Sequence, residues 1–296
     1  MKKITFIAFL IVAIGCHGQR LVGLNEMSSS KPNLPLRDTV DFAVLCVHYK
    51  MWEVKDSRVE KKKYRTYDMF LQIGEKMSKF CDHNRYLNDS TVVMEEQQGV
   101  DNATIMMGVR TRGRGISTNR EEIFKNYPNG SCTVYDDINI LSHYCYEDSE
   151  VFFDWTMIPM EKPDTVMGYP CRKATTTFRG RTYEAWYTDE IAMDNGPWKF
   201  QGLPGLILYV KDIKEDYFFK CTALYKPTWD SPMTKRKEVQ KTSRKKFVRA
   251  KGRSGEDPIG SMIDAGLITS IKAPDGSPIT SSSMLDIPPY NPIELE

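Results

Sequence analysis

The chain has 296 residues, of which 41% are hydrophobic and 11% aromatic, which is enough apolar material to bury a core and excludes a largely disordered protein. The formal net charge is only +2, so no global field marks a nucleic-acid-binding protein.

Residues 1–18 resemble a secretory signal peptide. Two lysines precede an apolar run over residues 4–15, and small residues, Cys16 and Gly18, follow it. This pattern predicts cleavage after Gly18, and the alternative is a lipoprotein tethered through Cys16. The run is too short for a permanent membrane span, and no other stretch is apolar and long enough for one. We therefore expect an exported protein.

Export affects how the cysteines are interpreted. Six remain beyond the signal segment, an even number that allows up to three disulfides in an oxidising compartment, with the connectivity left open. They are Cys46, Cys81, Cys132, Cys145, Cys171 and Cys221.

The body of the chain follows a polar segment, residues 19–37, that we expect to be flexible. Residues 38–296 are predicted to form one domain. The alternating apolar pattern at 40–52 predicts a strand, and 64–74 predicts another that pairs with it in antiparallel fashion.

Further strands follow at short, regular intervals, separated by turn signals. Arg179 and Gly180 form a two-residue loop that predicts a hairpin, and Pro128 and Asn129 mark a turn. The expected fold is mainly β, an antiparallel curved sheet or incomplete barrel. The remaining predicted strands cover 132–135, 142–146, 151–157, 171–178, 182–188, 206–211 and 217–224.

One basic helix is predicted near residues 232–251, with Ser231 as N-cap, Pro232 in the first turn and Gly252 as its end. Residues 235–251 hold nine Lys or Arg and one Glu. We expect a solvated helix with a narrow docking stripe, and contact with a membrane surface is the alternative. Beyond Gly252 we expect an irregular tail.

A segment rich in glycine and proline precedes the strand predicted at 206. Pro204 and Gly205 fit the central positions of a type II turn, in which Gly205 has positive φ. We interpret the segment as a corner, a tight change of chain direction that places the Trp198 and Phe200 rings against one end of the core. A phosphate-binding loop is disfavoured because the turn leads into a strand and not into a helix. The corner residues are Gly196, Pro197, Trp198, Gly202, Leu203, Pro204, Gly205, Leu206 and Ile207.

Residues 202–207, GLPGLI, are the signature of the GLPGLI family of Bacteroidetes secreted proteins, and the chain resembles that family. The segments 67–80, 168–191 and 290–296 add to the resemblance. It implies an exported envelope protein, in the periplasm, at the outer membrane or outside the cell, often encoded beside a TonB-dependent outer-membrane receptor. The family has no established activity, so the resemblance assigns no catalytic residue.

Each histidine beyond the signal segment lies two residues from a cysteine. Residues two apart on a strand share a face, so each pair can present the ligand types that Zn or Cu(I) prefers. The alternatives are disulfide or core cysteines beside incidental histidines, and a Cys81 or Cys145 nucleophile activated by a histidine. The pairs are Cys46 with His48, Cys81 with His83, and His143 with Cys145.

The sequence therefore favours a non-enzymatic envelope protein, with no required cofactor, that binds a hydrophobic segment or a protein partner on a concave apolar surface. Trp186, Trp198 and Phe200 are expected near the rim of that surface. A TonB-dependent receptor is the partner that the resemblance implies, and nucleic acid is not expected. The alternatives are a periplasmic metal-binding protein that uses the Cys/His pairs and a hydrolase of unknown substrate.

Overall fold

A computed structural model describes residues 36–111, 119–127, 130–139, 142–159, 162, 164–285 and 288–296. The predicted signal segment with Cys16, the flexible segment up to residue 35, and the turn at Pro128 and Asn129 lie outside the described residues. Among the described residues, no helix has the length and apolar character needed to cross a bilayer.

The described chain is mainly β, as the sequence predicts. Its sixteen strands are β1 Arg37–Val54, β2 Tyr64–Gly74, β3 Met77–Asp82, β4 Glu122–Asn126, β5 Cys132–Asn139, β6 Ser142–Asp148, β7 Thr156–Ile158, β8 Asp164–Val166, β9 Tyr169–Phe178, β10 Arg181–Thr188, β11 Leu206–Asp212, β12 Tyr217–Tyr225, β13 Pro232–Arg236, β14 Gln240–Lys241, β15 Ile271–Lys272 and β16 Pro278–Ile279. The helices are α1 His83–Gln97, α2 Asn102–Thr111, α3 Arg244–Glu256 and α4 Pro258–Asp264.

Fourteen strands form one open sheet in the order β14-β6-β5-β4-β3-β2-β1-β12-β11-β10-β9-β7, with β13 paired to β1 and β8 to β9. Every pairing in it is antiparallel except β14 with β6. The predicted pairing of β1 with β2 is confirmed, and so is the hairpin between β9 and β10. Arg179 and Gly180 have φ values of 45° and 81°, the left-handed conformation that a two-residue hairpin loop requires.

The predicted helix over 232–251 is wrong in its first half. Residues 232–236 form β13, which pairs with the start of β1 and buries Met233 completely. The helix begins only after Ser243, whose hydroxyl accepts a hydrogen bond from the Lys246 amide. Pairing with β1 and burial of Met233 outweigh the local signals at Ser231 and Pro232. The helix also continues past Gly252 to Glu256.

Three helices, α1, α2 and α4, were not predicted. Asp82 caps α1 by accepting a hydrogen bond from the Arg85 amide at 3.1 Å, and Asp101 does the same for the Thr104 amide at 3.0 Å. Both caps are standard start signals. Only Val92 of α1 is buried, so the helix lacks the broad apolar stripe by which sequence patterns reveal helices.

The sheet wraps around its inner face, which carries one large apolar cluster with members from β1 to β6 and β9 to β12. Strand β6 and the β9–β10 hairpin stand far apart in the strand order, yet Arg179 at the hairpin contacts Asp148 at the end of β6 with an N···O distance of 2.6 Å. Phe153 lies 4.4 Å from Phe178 across the same gap, measured between ring centroids. The sheet is thus an incomplete barrel closed along a seam by side chains.

The segment 288–296 lies against this seam without regular secondary structure. Tyr183 donates a hydrogen bond to the Ile293 carbonyl at 3.0 Å, and Arg181 donates to the Pro292 carbonyl at 2.8 Å. Glu294 accepts from Arg179 at 2.9 Å and from Lys199. The chain beyond Gly252 therefore holds α4, the β15–β16 pair and a segment that is irregular but firmly bonded to the barrel.

Candidate functional site

The glycine-rich corner lies inside the barrel. Strand β11 begins at Leu206, as predicted, and both Trp198 and Phe200 are buried in the inner cluster and not at a rim. Phe200 packs against Tyr183 with ring centroids 4.9 Å apart. Trp198 has a φ of 50°, an uncommon conformation for a bulky residue that the surrounding packing must hold in place.

The reason for glycine at position 205 differs from the prediction. Positive φ occurs at Gly202, with a value of 93°, and not at Gly205. A Cβ at Gly205 would lie 2.0 Å from the Thr188 carbonyl oxygen, and one at Gly196 would lie 2.8 Å from Cβ of Ile207. Close approach of backbone and side chain therefore requires these two glycines.

Lys125 of β4 binds the backbone of the corner. Its ammonium group, fully buried, donates to the Gly196 carbonyl at 2.6 Å, the Phe200 carbonyl at 2.9 Å and the Asn195 side chain at 2.8 Å. Burial lowers the pKa of Lys125 to about 7. The three acceptors use all three of its protons, so this lysine serves the architecture of the corner.

Lys199, also in the corner, forms ion pairs with two carboxylates at the seam. It is fully buried and contacts Asp148 at 2.8 Å together with Glu294. Burial alone raises the pKa of Asp148, but hydrogen bonds and charge from Arg179 and Lys199 outweigh it and hold this pKa at about 2. The corner is thus tied to the seam by charge as well as by packing.

The outer face of the sheet carries a groove of about 550 Å³. Five strands each place one aromatic side chain along it. Trp186 also belongs to the inner cluster and Tyr209 packs against that cluster, whereas the other three rings lie outside it. The aromatic residues are Trp52 of β1, Tyr64 of β2, Trp186 of β10, Tyr209 of β11 and Phe218 of β12.

The pairing registers bring these rings together. Trp52 stands opposite Phe218, and Trp186 stands opposite Tyr209, with ring centroids 4.8 Å apart. The Tyr64 ring meets Phe218 edge-on at 5.3 Å. The strands that carry these five rings, from β2 to β10, span four strand spacings, so the aromatic platform is about 19 Å wide.

Polar groups border the aromatic platform. Asp164 of β8 accepts a hydrogen bond from the Trp186 indole at 2.6 Å, and the Lys173 ammonium lies 4.8 Å from the Trp186 ring centroid. Lys173 is paired with Glu184 at 2.6 Å. Lys220 lines the groove, is exposed, and forms no ion pair in the described part of the chain.

The Cys/His pairs are only partly brought together. The imidazoles of His48 and His83 lie 4.7 Å apart between centroids on the outer face, with Cys46 and Cys81 buried nearby. His143 is far from them in the strand order and contacts Asp137 at 2.7 Å. Among the described residues, no three Cys, His, Asp or Glu side chains are grouped so that they could hold a metal ion.

All six described cysteines are free and buried, so the disulfides allowed by the sequence are not formed. Three of them, Cys132, Cys171 and Cys221, belong to the inner cluster. Burial raises the pKa of Cys81 to about 12 and that of Cys132 to about 11. Burial also raises the pKa of Cys145, so neither Cys81 nor Cys145 has the low pKa of a cysteine nucleophile.

A buried ionic cluster on the outer face lies beneath α1. Glu122 contacts Arg37 at 2.7 Å, Lys79 at 2.9 Å and Arg85 at 2.6 Å. These three cations hold the pKa of Glu122 well below its ordinary value despite its burial. The cluster binds β1, β3, β4 and α1 together, and no feature of the sequence analysis predicted it.

Comparison with known proteins is informative for a short part of the chain. Residues 161–209, which include the corner, match the model of a family described as a protein of unknown function, Porph_ging. No curated protein shows a significant match. Two solved structures of PNGF-II, in space groups P21 and C2, are similar over 73% of this chain and 34% of theirs, with TM-scores of 0.45 and 0.46 and identities of 11% and 12%. This chain thus spans about a third of the length of those chains, and likeness at this level carries no inference about activity.

Proposed function

We propose that the protein is a non-enzymatic, exported binding protein of the cell envelope and that the aromatic groove is its ligand-binding surface. The observation that supports it is that two separate parts of the chain, β1–β2 and β10–β12, bring five aromatic rings, one from each strand, into a single outer-face groove. Aromatic rings that converge along a surface groove with a few polar groups beside them are typical of ligand-binding surfaces.

The packing of the barrel interior also supports this proposal. Trp198, Phe200, Lys125 and Lys199 fill the barrel interior, so the concave surface expected from the sequence is occupied by the chain itself. A ligand in the interior would have to displace these side chains, which favours binding on the outer face. The rigid sheet beneath the groove fixes the aromatic side chains before binding, which reduces the entropy lost on association.

The cellular setting of the proposal comes from the sequence. The signal-like pattern at residues 1–18 and the resemblance to the GLPGLI family support export and an envelope partner, for which a TonB-dependent receptor is the expected neighbour. The metal-binding alternative now rests on the His48–His83 pair alone, and the hydrolase alternative has no low-pKa cysteine in its favour.

Site-specific photocrosslinking tests the proposal. A benzophenone amino acid at Tyr209, in the groove, should capture a defined envelope component, whereas the same group at Lys245, exposed on α3, should not. Because benzophenone inserts into C–H bonds of proteins and glycans alike, the test does not presuppose the ligand class. Equal capture at both positions, or none at Tyr209, would contradict a ligand-binding role for the groove.

A further inference from the structure

We infer that the occupant of the aromatic groove is a saccharide chain that carries carboxylate groups. This inference rests on the proposed binding function and concerns the chemistry of the ligand. It follows from three properties of the groove: its place on a sheet face, the arrangement of its rings and the charge of Lys220.

The groove lies on the face of the sheet and not at an edge. Strands β1, β12 and β11 are each hydrogen-bonded to a neighbour on both sides, so their backbone groups have no free partners for a ligand. An extended peptide laid over this face would lose hydration of its own amides without replacement, which is costly. A pyranose has its polar groups around the ring perimeter and apolar C–H groups on its faces, so it can cover an aromatic ring while its hydroxyls remain solvated.

The aromatic groups suit such a ligand. Trp52, Tyr209 and Phe218 are half-buried, so each exposes part of its ring, and the platform of about 19 Å is wide enough for several sugar rings. Trp and Tyr combine an apolar ring with a polar atom, which favours ligands that have an apolar face and a polar, hydrated edge. The open groove imposes no end on the bound molecule, so it suits a chain.

One position in the groove favours a carboxylate. Asp164 keeps its negative charge while it accepts a hydrogen bond from the Trp186 indole, and Lys173 is paired with Glu184, so the ligand carboxylate is not expected beside Trp186. Lys220 is the groove-lining cation with no ion pair in the described part of the chain. It stands opposite Tyr209 and next to Lys50, which is itself paired with Asp68 at 2.7 Å. A sugar carboxylate over Tyr209 would give Lys220 a charge-assisted hydrogen bond.

Calorimetric titration with polygalacturonate, and with neutral pullulan as its counterpart, tests this inference. The wild type should bind polygalacturonate at least about tenfold more tightly than pullulan. Trp52→Ala or Tyr209→Ala should weaken binding about tenfold, the loss expected from one aromatic contact. Trp229→Ala, which removes an exposed tryptophan outside the groove, should leave it unchanged. Thermal melts establish that each variant is folded.

Lys220→Gln should reduce the affinity for polygalacturonate to that for pullulan, and Lys220→Arg should retain the preference. Equal binding of both polysaccharides by the wild type would overturn the carboxylate assignment. Failure to bind either one, together with capture of a protein by benzophenone at Tyr209, would overturn the saccharide inference and leave the proposed function standing. Failure of both experiments would refute the proposed function as well.

Discussion

Replacing Gly205 with alanine should destabilise the barrel strongly. The new Cβ would lie 2.0 Å from the Thr188 carbonyl oxygen, 2.8 Å from the Thr188 carbonyl carbon and 3.2 Å from the Asp189 Cα. All three atoms belong to the backbone, so no side-chain rotation can relieve the clash. Thr188 is paired with Leu206, so relief requires the β10–β11 pairing to shift.

Overpacking of this kind costs about 1–3 kcal/mol, and we expect the upper end because only backbone can move. For a domain of this size, about 3 kcal/mol lowers Tm by roughly 6–12 °C. Differential scanning calorimetry measures the change, and urea unfolding gives the free energy independently. A Tm within about 2 °C of wild type would refute the close-approach argument.

Two other glycines serve as matched controls. Gly252, within α3, has open space around its Cβ position, so Gly252→Ala should stabilise the protein by about 0.5–1 kcal/mol through helix propensity. Gly202 has positive φ but only ordinary contacts, with Trp155 at 3.4 Å, so Gly202→Ala should cost about 1 kcal/mol. A larger loss at Gly202 than at Gly205 would show that backbone conformation, and not close approach, determines the corner.

Three further predictions concern the buried charges and thiols. Asp148→Asn should lower the free energy of unfolding by about 3–5 kcal/mol because buried Lys199 loses one of its counter-charges. Since the folded pKa of Asp148 lies below its unfolded value, this carboxylate should contribute about 2 kcal/mol of wild-type stability above pH 4, and that contribution should be lost as the pH falls toward 2. The variant should lack this pH-dependent loss of stability. Lys125→Met should cost about 3 kcal/mol in urea unfolding because the Gly196 carbonyl loses its buried donor, while Lys245→Met on the exposed face of α3 should change stability by less than about 0.5 kcal/mol. Alkylation under denaturing, non-reducing conditions should label all six described cysteines, whereas in the native protein they should react slowly; a shortfall in the denatured protein would reveal disulfides.

Most strands and hairpins could be predicted because their signals are local, but of the strand predicted at 151–157 only residues 156 and 157 lie in a strand, β7. The alternation of apolar residues placed β2 at its observed bounds, 64–74, and Arg179 with Gly180 identified the β9–β10 turn. The first half of the predicted basic helix failed because pairing with β1, 190 to 199 residues away in sequence, decides the conformation of residues 232–236. Local propensity carries no information about such a partner.

The candidate site depends on long-range register even more strongly. Trp52 and Phe218 meet only because β1 pairs with β12, and no spacing rule in the sequence relates them. Lys125 and Lys199 were hidden for another reason: lysine usually indicates an exposed position, and only the folded chain shows which acceptors compensate a buried one. The aromatic content of the predicted strands was visible, but the face on which each ring lies was not.

Glu294 has a consequence for how the molecule assembles. It supplies a carboxylate to Arg179 and Lys199 from a segment about a hundred positions further along the chain. During synthesis, the Lys199 ammonium group therefore lacks one of its counter-charges until residues 290–296 have been made and have docked on the barrel. Closure of so distant a contact is slow to nucleate, and we expect the nascent molecule to remain loosely packed and dependent on protection from aggregation until that segment docks.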